Sequence, residues 1–119
     1  MKTVLLVEDD SQLCEALKKK LEREDLTILV ARDGEEGLKS LSEHPVDLIL
    51  LDIIMPKMDG FQMIDQLEQK RAKTGLPLPP IIILTNKSST SYPEVAKEVL
   101  IKSNVSLEDI ALKIRTYLA

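Results

Sequence analysis

The segment from residue 46 to residue 60, VDLILLDIIMPKMDG, constrains the fold more than any other part of the chain. Residues 46–51 are apolar except for Asp47, which is typical of a strand that is covered on both faces in a parallel sheet. The strand ends at a carboxylate, Asp52, and a proline and the Asp59-Gly60 pair then turn the chain towards a helix. Because ligands of open α/β sheets bind at the carboxyl ends of the strands, the sequence predicts that Asp52 lies in a functional site.

Apolar segments of strand length alternate with amphipathic segments along the whole chain. Besides residues 46–51, strands are predicted over residues 3–7, 26–31, 81–84 and 99–101. Helices are predicted from residue 10 or 11, over residues 35–42, from residue 61 to about 73, and after a capping-box pattern at residues 106–109. The alternation predicts an α/β fold with a doubly wound, five-stranded parallel sheet. The strand order that we expect for this sheet is the flavodoxin-like order 2-1-3-4-5. Residues 93–98 are all that remains for a fourth helix before the last strand, so that helix is expected to be shortened or irregular.

Length and charge limit what a chain of this kind can do. We expect the 119 residues to form one domain, with no separate output domain among them. The net charge of −4 supplies no basic field for direct binding to nucleic acid. The apolar runs are shorter than the ~18 residues of a membrane span, and a single cysteine, Cys14, excludes an internal disulfide. These features predict a cytoplasmic protein that binds neither nucleic acid nor membrane.

Polar side chains stand at the carboxyl ends of four predicted strands. They are Glu8 and Asp9 after the first strand, Asp52 after the third, Thr85 after the fourth and Lys102 after the fifth. These ends share one edge of a parallel sheet, and the order 2-1-3-4-5 brings the three carboxylates together at the switch point. Carboxylates so close repel one another unless a cation joins them, and magnesium, with manganese as an alternative, prefers such oxygen ligands. Asp52 is then the candidate nucleophile towards a phosphoryl group whose charge is stabilised by Lys102 and Thr85.

The sequence resembles the response-regulator receiver domain of two-component signalling over nearly its whole length. The resemblance is carried by VEDD after the first strand, LDIIMPKMDG around Asp52, ILTN at the fourth strand and LIKS at the fifth. It implies that Asp52 accepts a phosphoryl group from a histidine kinase or a histidine phosphotransfer protein, and that Thr85 and Lys102 bind this group. It also implies a magnesium site whose ligands are Glu8, Asp9, Asp52 and the main-chain carbonyl of Ile54. A domain of this kind is a switch that assists its own phosphorylation and dephosphorylation rather than an enzyme. A downstream protein partner and a homodimer are further expectations.

The region between the fourth and fifth strands departs from the family pattern. Asn86 stands where the family usually has a small residue, Ser103 where it usually has proline, and Val99 where it usually has an aromatic switch residue. The segment is also several residues shorter than is usual. We therefore predict that residues 86–98 are the least ordered part of the fold.

Two functions fit this pattern. The first is a phosphoryl-accepting switch, and the second is a pseudo-receiver, an interaction module that keeps the fold without phosphorylation, which the shortened segment and Val99 favour. A flavin protein with the same strand order is disfavoured, because Glu8-Asp9-Asp10 would repel a phosphate and aromatic residues make up 3% of the chain. An aspartyl-phosphate phosphatase is disfavoured because Ile54 stands where that class needs a second acid.

Overall fold

A parallel sheet of five strands forms the centre of the computed structural model, which describes residues 1–86 and 91–119. The strands are β1 (Thr3–Val7), β2 (Thr27–Ala31), β3 (Leu48–Leu51), β4 (Ile81–Thr85) and β5 (Ala96–Ile101). The helices are α1 (Ser11–Glu22), α2 (Gly34–Glu43), α3 (Gly60–Thr74) and α4 (Leu107–Leu118), with a 3-10 turn at Lys102–Asn104. The strand order is β2-β1-β3-β4-β5, and each neighbouring pair is parallel. The predicted flavodoxin-like, doubly wound fold is confirmed.

Strand β3 is buried on both faces of the sheet, which explains its uninterrupted apolar sequence. Leu48 and Leu50 belong to the apolar cluster that the sheet forms with α1 and α4. Ile49 and Leu51 belong to the cluster that it forms with α2 and α3. All four side chains have 0% of their surface exposed. Because helices cover both faces, polar groups that follow β3 are confined to the edge of the sheet.

Short polar side chains cap the amino end of each α-helix. The capping residues are Asp10 for α1, Asp33 for α2, Asp59 for α3 and Ser106 for α4. Ser106 forms the predicted capping box with Asp109, and Asp59 forms another with Gln62. Each of these helices follows a strand, so all four amino ends lie at the carboxyl edge of the sheet. Among the described residues, no helix combines the length and the apolar character that crossing a membrane requires.

The connection between β4 and β5 differs from the prediction. Residues 93–98 do not form a helix, because Glu94 and Val95 make a turn and β5 already begins at Ala96. A helix of under two turns leaves most of its main-chain groups without partners, whereas a longer β5 pairs with β4. In the described part of this segment, a turn and the first residues of β5 stand where a shortened or irregular fourth helix was expected. The predicted low order of residues 86–98 stays a prediction, and residues 87–90 lie outside the described residues.

Candidate functional site

The ends of β1 and β3 bring the predicted carboxylates together. Val7 and Leu51 are partners in the parallel pairing, and the N–H of Asp52 donates to the carbonyl oxygen of Val7 at 2.9 Å. Glu8 therefore leaves β1 beside the point where Asp52 leaves β3. The side chains of Glu8 and Asp52 are almost fully buried, with 1% and 4% of each residue exposed, whereas Asp9 is exposed. These three side chains, called the acidic pocket below, comprise two buried acids and one exposed acid.

These three acids form a ligand set suited to a hard cation. One carboxylate oxygen each from Glu8, Asp9 and Asp52 lies within 4.8 Å of the others. Mg²⁺ takes oxygen ligands, keeps several waters and is commonly held by one or two carboxylates, so the residues present fit this ion. The predicted carbonyl ligand, Ile54, lies in the loop after β3, where its N–H donates to Asp52 Oδ1 at 3.3 Å. This contact places Ile54 directly beside the acidic cluster.

Lys102 reaches the same pocket from the end of β5. Its Nζ lies 2.6 Å from Glu8 Oε1 and 2.9 Å from Asp52 Oδ2. Burial raises the pKa of Glu8 to about 7, although the Lys102 ammonium and the N–H of Asp10 both act to lower it. Burial by itself lowers the pKa of Lys102, but its hydrogen bonds to Glu8 and Asp52 and their negative charges outweigh this effect, so that this pKa is raised. The lysine therefore stays charged and offsets part of the negative charge of the pocket.

Thr85 occupies the carboxyl end of β4, next to β3. It is fully buried, and its partner in the parallel pairing is Ile101, the residue before Lys102. Thr85 and Lys102 therefore leave adjacent strands at the same level. All the site residues predicted from the sequence lie at the carboxyl edge of the sheet, as the strand order requires.

Two side chains near this edge, those of Arg32 and Asn86, make contacts that were not predicted. Arg32 follows β2, and its Nη1 donates to the carbonyl oxygen of Asp9 at 3.3 Å and to Ser11 Oγ at 2.9 Å. Its position directly after a strand that neighbours β1 was a signal that could have identified it. Asn86 accepts, at Oδ1, a hydrogen bond from the N–H of Ser103 at 3.1 Å. Both residues were already noted as departures from the family pattern, but their pairing could not be foreseen, because it depends on how two loops meet in space.

Comparison with known proteins agrees with this geometry. The family model of the response regulator receiver domain matches residues 4–106. The chain belongs to this family. The receiver domain is 41% identical over 90 residues to the response regulator GtcR of Aneurinibacillus migulanus, a match that covers 76% of this chain and 35% of GtcR. The receiver domain thus spans 35% of the length of this curated relative.

Solved structures of the response regulator protein TrrA from Thermotoga maritima are similar to this receiver domain. TrrA in complex with Mg²⁺-BeF has 30% sequence identity and a TM-score of 0.82, with 99% of this chain and 100% of TrrA covered. TrrA in complex with the histidine kinase ThkA has 30% identity and a TM-score of 0.81, with 100% of both chains covered. The resemblance to response-regulator receiver domains that the sequence motifs indicated is therefore confirmed. This is a signalling domain of two-component systems.

Proposed function

We propose that this receiver domain is a phosphoryl-accepting switch in which Asp52 takes up the phosphoryl group. The observation that carries the proposal is the placement of Asp52, which is 4% exposed, belongs to the cluster of three carboxylates and lies 2.9 Å from the ammonium of Lys102. An anionic nucleophile and an anionic phosphoryl group repel each other, so transfer requires positive charge at the site. Lys102 supplies one positive charge. A bound Mg²⁺ would supply further positive charge, and its proposed ligands are Glu8, Asp9, Asp52 and the main-chain carbonyl of Ile54.

In the proposed transfer, a carboxylate oxygen of Asp52 attacks the phosphorus atom of a phosphohistidine on the donor protein. A bond forms between this oxygen and phosphorus while the bond from phosphorus to the histidine nitrogen breaks, and the imidazole leaves with the electron pair. The ammonium of Lys102 donates a hydrogen bond to one phosphoryl oxygen and the hydroxyl of Thr85 donates to another. These two contacts offset the charge of the group in the transition state.

A histidine kinase or a histidine phosphotransfer protein is the proposed donor. The likeness to TrrA, which was solved in complex with the histidine kinase ThkA, supports this assignment. Ile54 supports it as well, because 58% of this apolar residue is exposed directly beside the buried Asp52. Such a residue offers an apolar contact to a protein that must approach the acidic pocket. The downstream protein and the homodimer remain predictions of the family resemblance. The single domain over residues 1–119 and the cytoplasmic location remain predictions from length and composition.

Incubation with acetyl phosphate and Mg²⁺ tests the proposed function. Intact-protein mass spectrometry should show a gain of one phosphoryl group, and this gain should disappear when a chelator removes Mg²⁺. The same experiment separates the switch from the pseudo-receiver. If neither acetyl phosphate nor a phosphorylated histidine kinase labels the protein, while the protein still binds a partner, the chain acts as an interaction module instead.

Asp9→Asn is expected to weaken Mg²⁺ binding by roughly tenfold or more, because one negative ligand of the proposed site becomes neutral. Asp9 is exposed, so its replacement should leave the core of the protein intact. Titration calorimetry with MgCl₂ measures the change. Asp10→Asn is the matched control, since Asp10 lies outside the carboxylate cluster and asparagine caps a helix as well as aspartate does. Equal Mg²⁺ affinity of Asp9→Asn and the parent protein would remove Asp9 from the ligand set.

A further inference from the structure

A hydrogen bond joins two residues at which this chain departs from the family pattern. The N–H of Ser103 donates to Oδ1 of Asn86 at 3.1 Å. A small apolar residue at position 86 would have no side-chain acceptor, and a proline at position 103 would have no N–H. The bond therefore requires a side-chain acceptor at position 86 and a residue other than proline at position 103.

The bond lies directly beyond the last paired residues of β4 and β5. Thr85 and Ile101 are partners at the ends of these strands. Asn86 follows Thr85, and Ser103 follows Lys102. The hydrogen bond from Ser103 to the side chain of Asn86 therefore connects the two chain segments just after the strands end. Thr85 and Lys102, which are proposed to bind the phosphoryl group, each stand next to one partner of this bond along the chain.

The position of Lys102 depends on how the main chain next to it is held. Its main chain has already left β5 and starts the 3-10 turn Lys102–Asn104. Its side chain must nevertheless reach Asp52 at the end of β3, and β4 lies between β3 and β5. A displacement of about 1 Å in a group of this kind can slow a reaction by up to about 10²-fold. A contact that fixes the main chain at Ser103 therefore bears directly on the transfer.

We propose that Asn86 is a positioning residue for phosphoryl transfer. By holding Ser103 against the end of β4, it keeps the ammonium of Lys102 at the distance from Asp52 that offsets the charge of the transferred group. Asn86 acts through Ser103 and Lys102 and makes no contact of its own with the phosphoryl group. This inference rests on the proposed function, because it assigns a role within the transfer to Asp52.

Asn86→Leu tests the inference, because leucine resembles asparagine in size and branching but has no hydrogen-bond acceptor. We expect labelling by acetyl phosphate to slow by roughly three- to tenfold, with little change in the urea unfolding midpoint. Asn104→Leu is the matched control, since Asn104 is an exposed asparagine of the same 3-10 turn that takes no part in this bond, and it should be labelled at the parent rate. The Ser103 amide, followed by NMR, should exchange its hydrogen faster in Asn86→Leu. It should regain protection in Asn86→Asp, whose carboxylate is an acceptor of the same reach.

An unchanged labelling rate in Asn86→Leu would overturn the positioning role, even if the Ser103 amide exchanged faster. An equal loss of rate in Asn104→Leu would also overturn it, because that change leaves the bond in place. If the parent protein takes up no phosphoryl group at all, the proposed function itself has failed. If the parent protein is labelled and Asn86→Leu is labelled at the same rate, only the positioning role is refuted and the proposed function stands.

Discussion

Asp52→Asn is expected to abolish labelling by acetyl phosphate, because the neutral amide has no anionic oxygen with which to attack phosphorus. The variant should still fold. Asparagine has nearly the same shape as aspartate, and its carbonyl oxygen can accept the N–H of Ile54, as Asp52 Oδ1 does at 3.3 Å. Lys102 also keeps a hydrogen-bond partner, since its Nζ lies 2.6 Å from Glu8 Oε1. Intact-protein mass spectrometry of the variant and the parent, treated side by side, measures the effect.

Asp59→Asn is the control for this experiment. Asp59 lies in the same loop and caps α3, and asparagine caps a helix equally well. It should be labelled to the same extent as the parent protein. Phosphoryl uptake by Asp52→Asn at the parent level would show that another residue is the acceptor, and the assignment of Asp52 would then be wrong.

Gly60→Ala is expected to lower the free energy of unfolding by about 3 kcal/mol, because there is no space for a methyl group at this position. A Cβ on Gly60 would lie 2.5 Å from the main-chain oxygen of Asp52 and 2.8 Å from Cα of Ile53. Both atoms belong to the main chain and cannot move without disturbing the end of β3. The N–H of Gly60 also donates to the carbonyl oxygen of Ile53 at 2.9 Å, so the same shift would strain this hydrogen bond. Urea unfolding followed by circular dichroism measures the change.

Gly37→Ala provides the comparison for Gly60→Ala. Gly37 lies within α2, and a Cβ there would approach Cε of Met63 at 2.9 Å, its Sδ at 3.1 Å and Cγ2 of Val7 at 3.2 Å. The two nearest atoms are the far end of a flexible side chain that can move aside, and the contact with Val7 asks for a shift of only a few tenths of an ångström. Alanine also favours the helix over glycine by up to about 1 kcal/mol, so the net change in unfolding free energy should be small. A loss in Gly60→Ala as small as the change expected for Gly37→Ala would mean that the loop after Asp52 is not packed as tightly as the distances indicate.

Much of the fold was predictable because its signals are local. The apolar run that became β3 carries the pattern of a strand buried on both faces, and the capping box at Ser106 marks the start of α4 in four consecutive residues. The strand order 2-1-3-4-5 was expected from known doubly wound folds, because the alternation of strands and helices does not by itself decide it. Strand direction explains why Glu8, Asp9 and Asp52 could be assigned to one edge before any distance was known.

The connection between β4 and β5 was not predictable in the same way. Tyr92 and Pro93 permit a helix start, but the energetic balance between a very short helix and an extended strand depends on the neighbouring strand. Local residue preference could not decide between them. Pairing of Ala96 and the residues after it with β4 decided it in favour of the strand.

The sequence by itself determined the alternation of strands and helices, the helix caps and the edge of the sheet to which the acidic residues belong. It could do so because each of these depends on hydrophobic period, capping chemistry or strand direction, which short segments encode. The tertiary structure alone decided that Lys102 pairs with both Glu8 and Asp52, that burial raises the pKa of Glu8, and that Asn86 holds Ser103. These features depend on distances and solvent exclusion between segments far apart in the chain, which arise when the sheet is assembled.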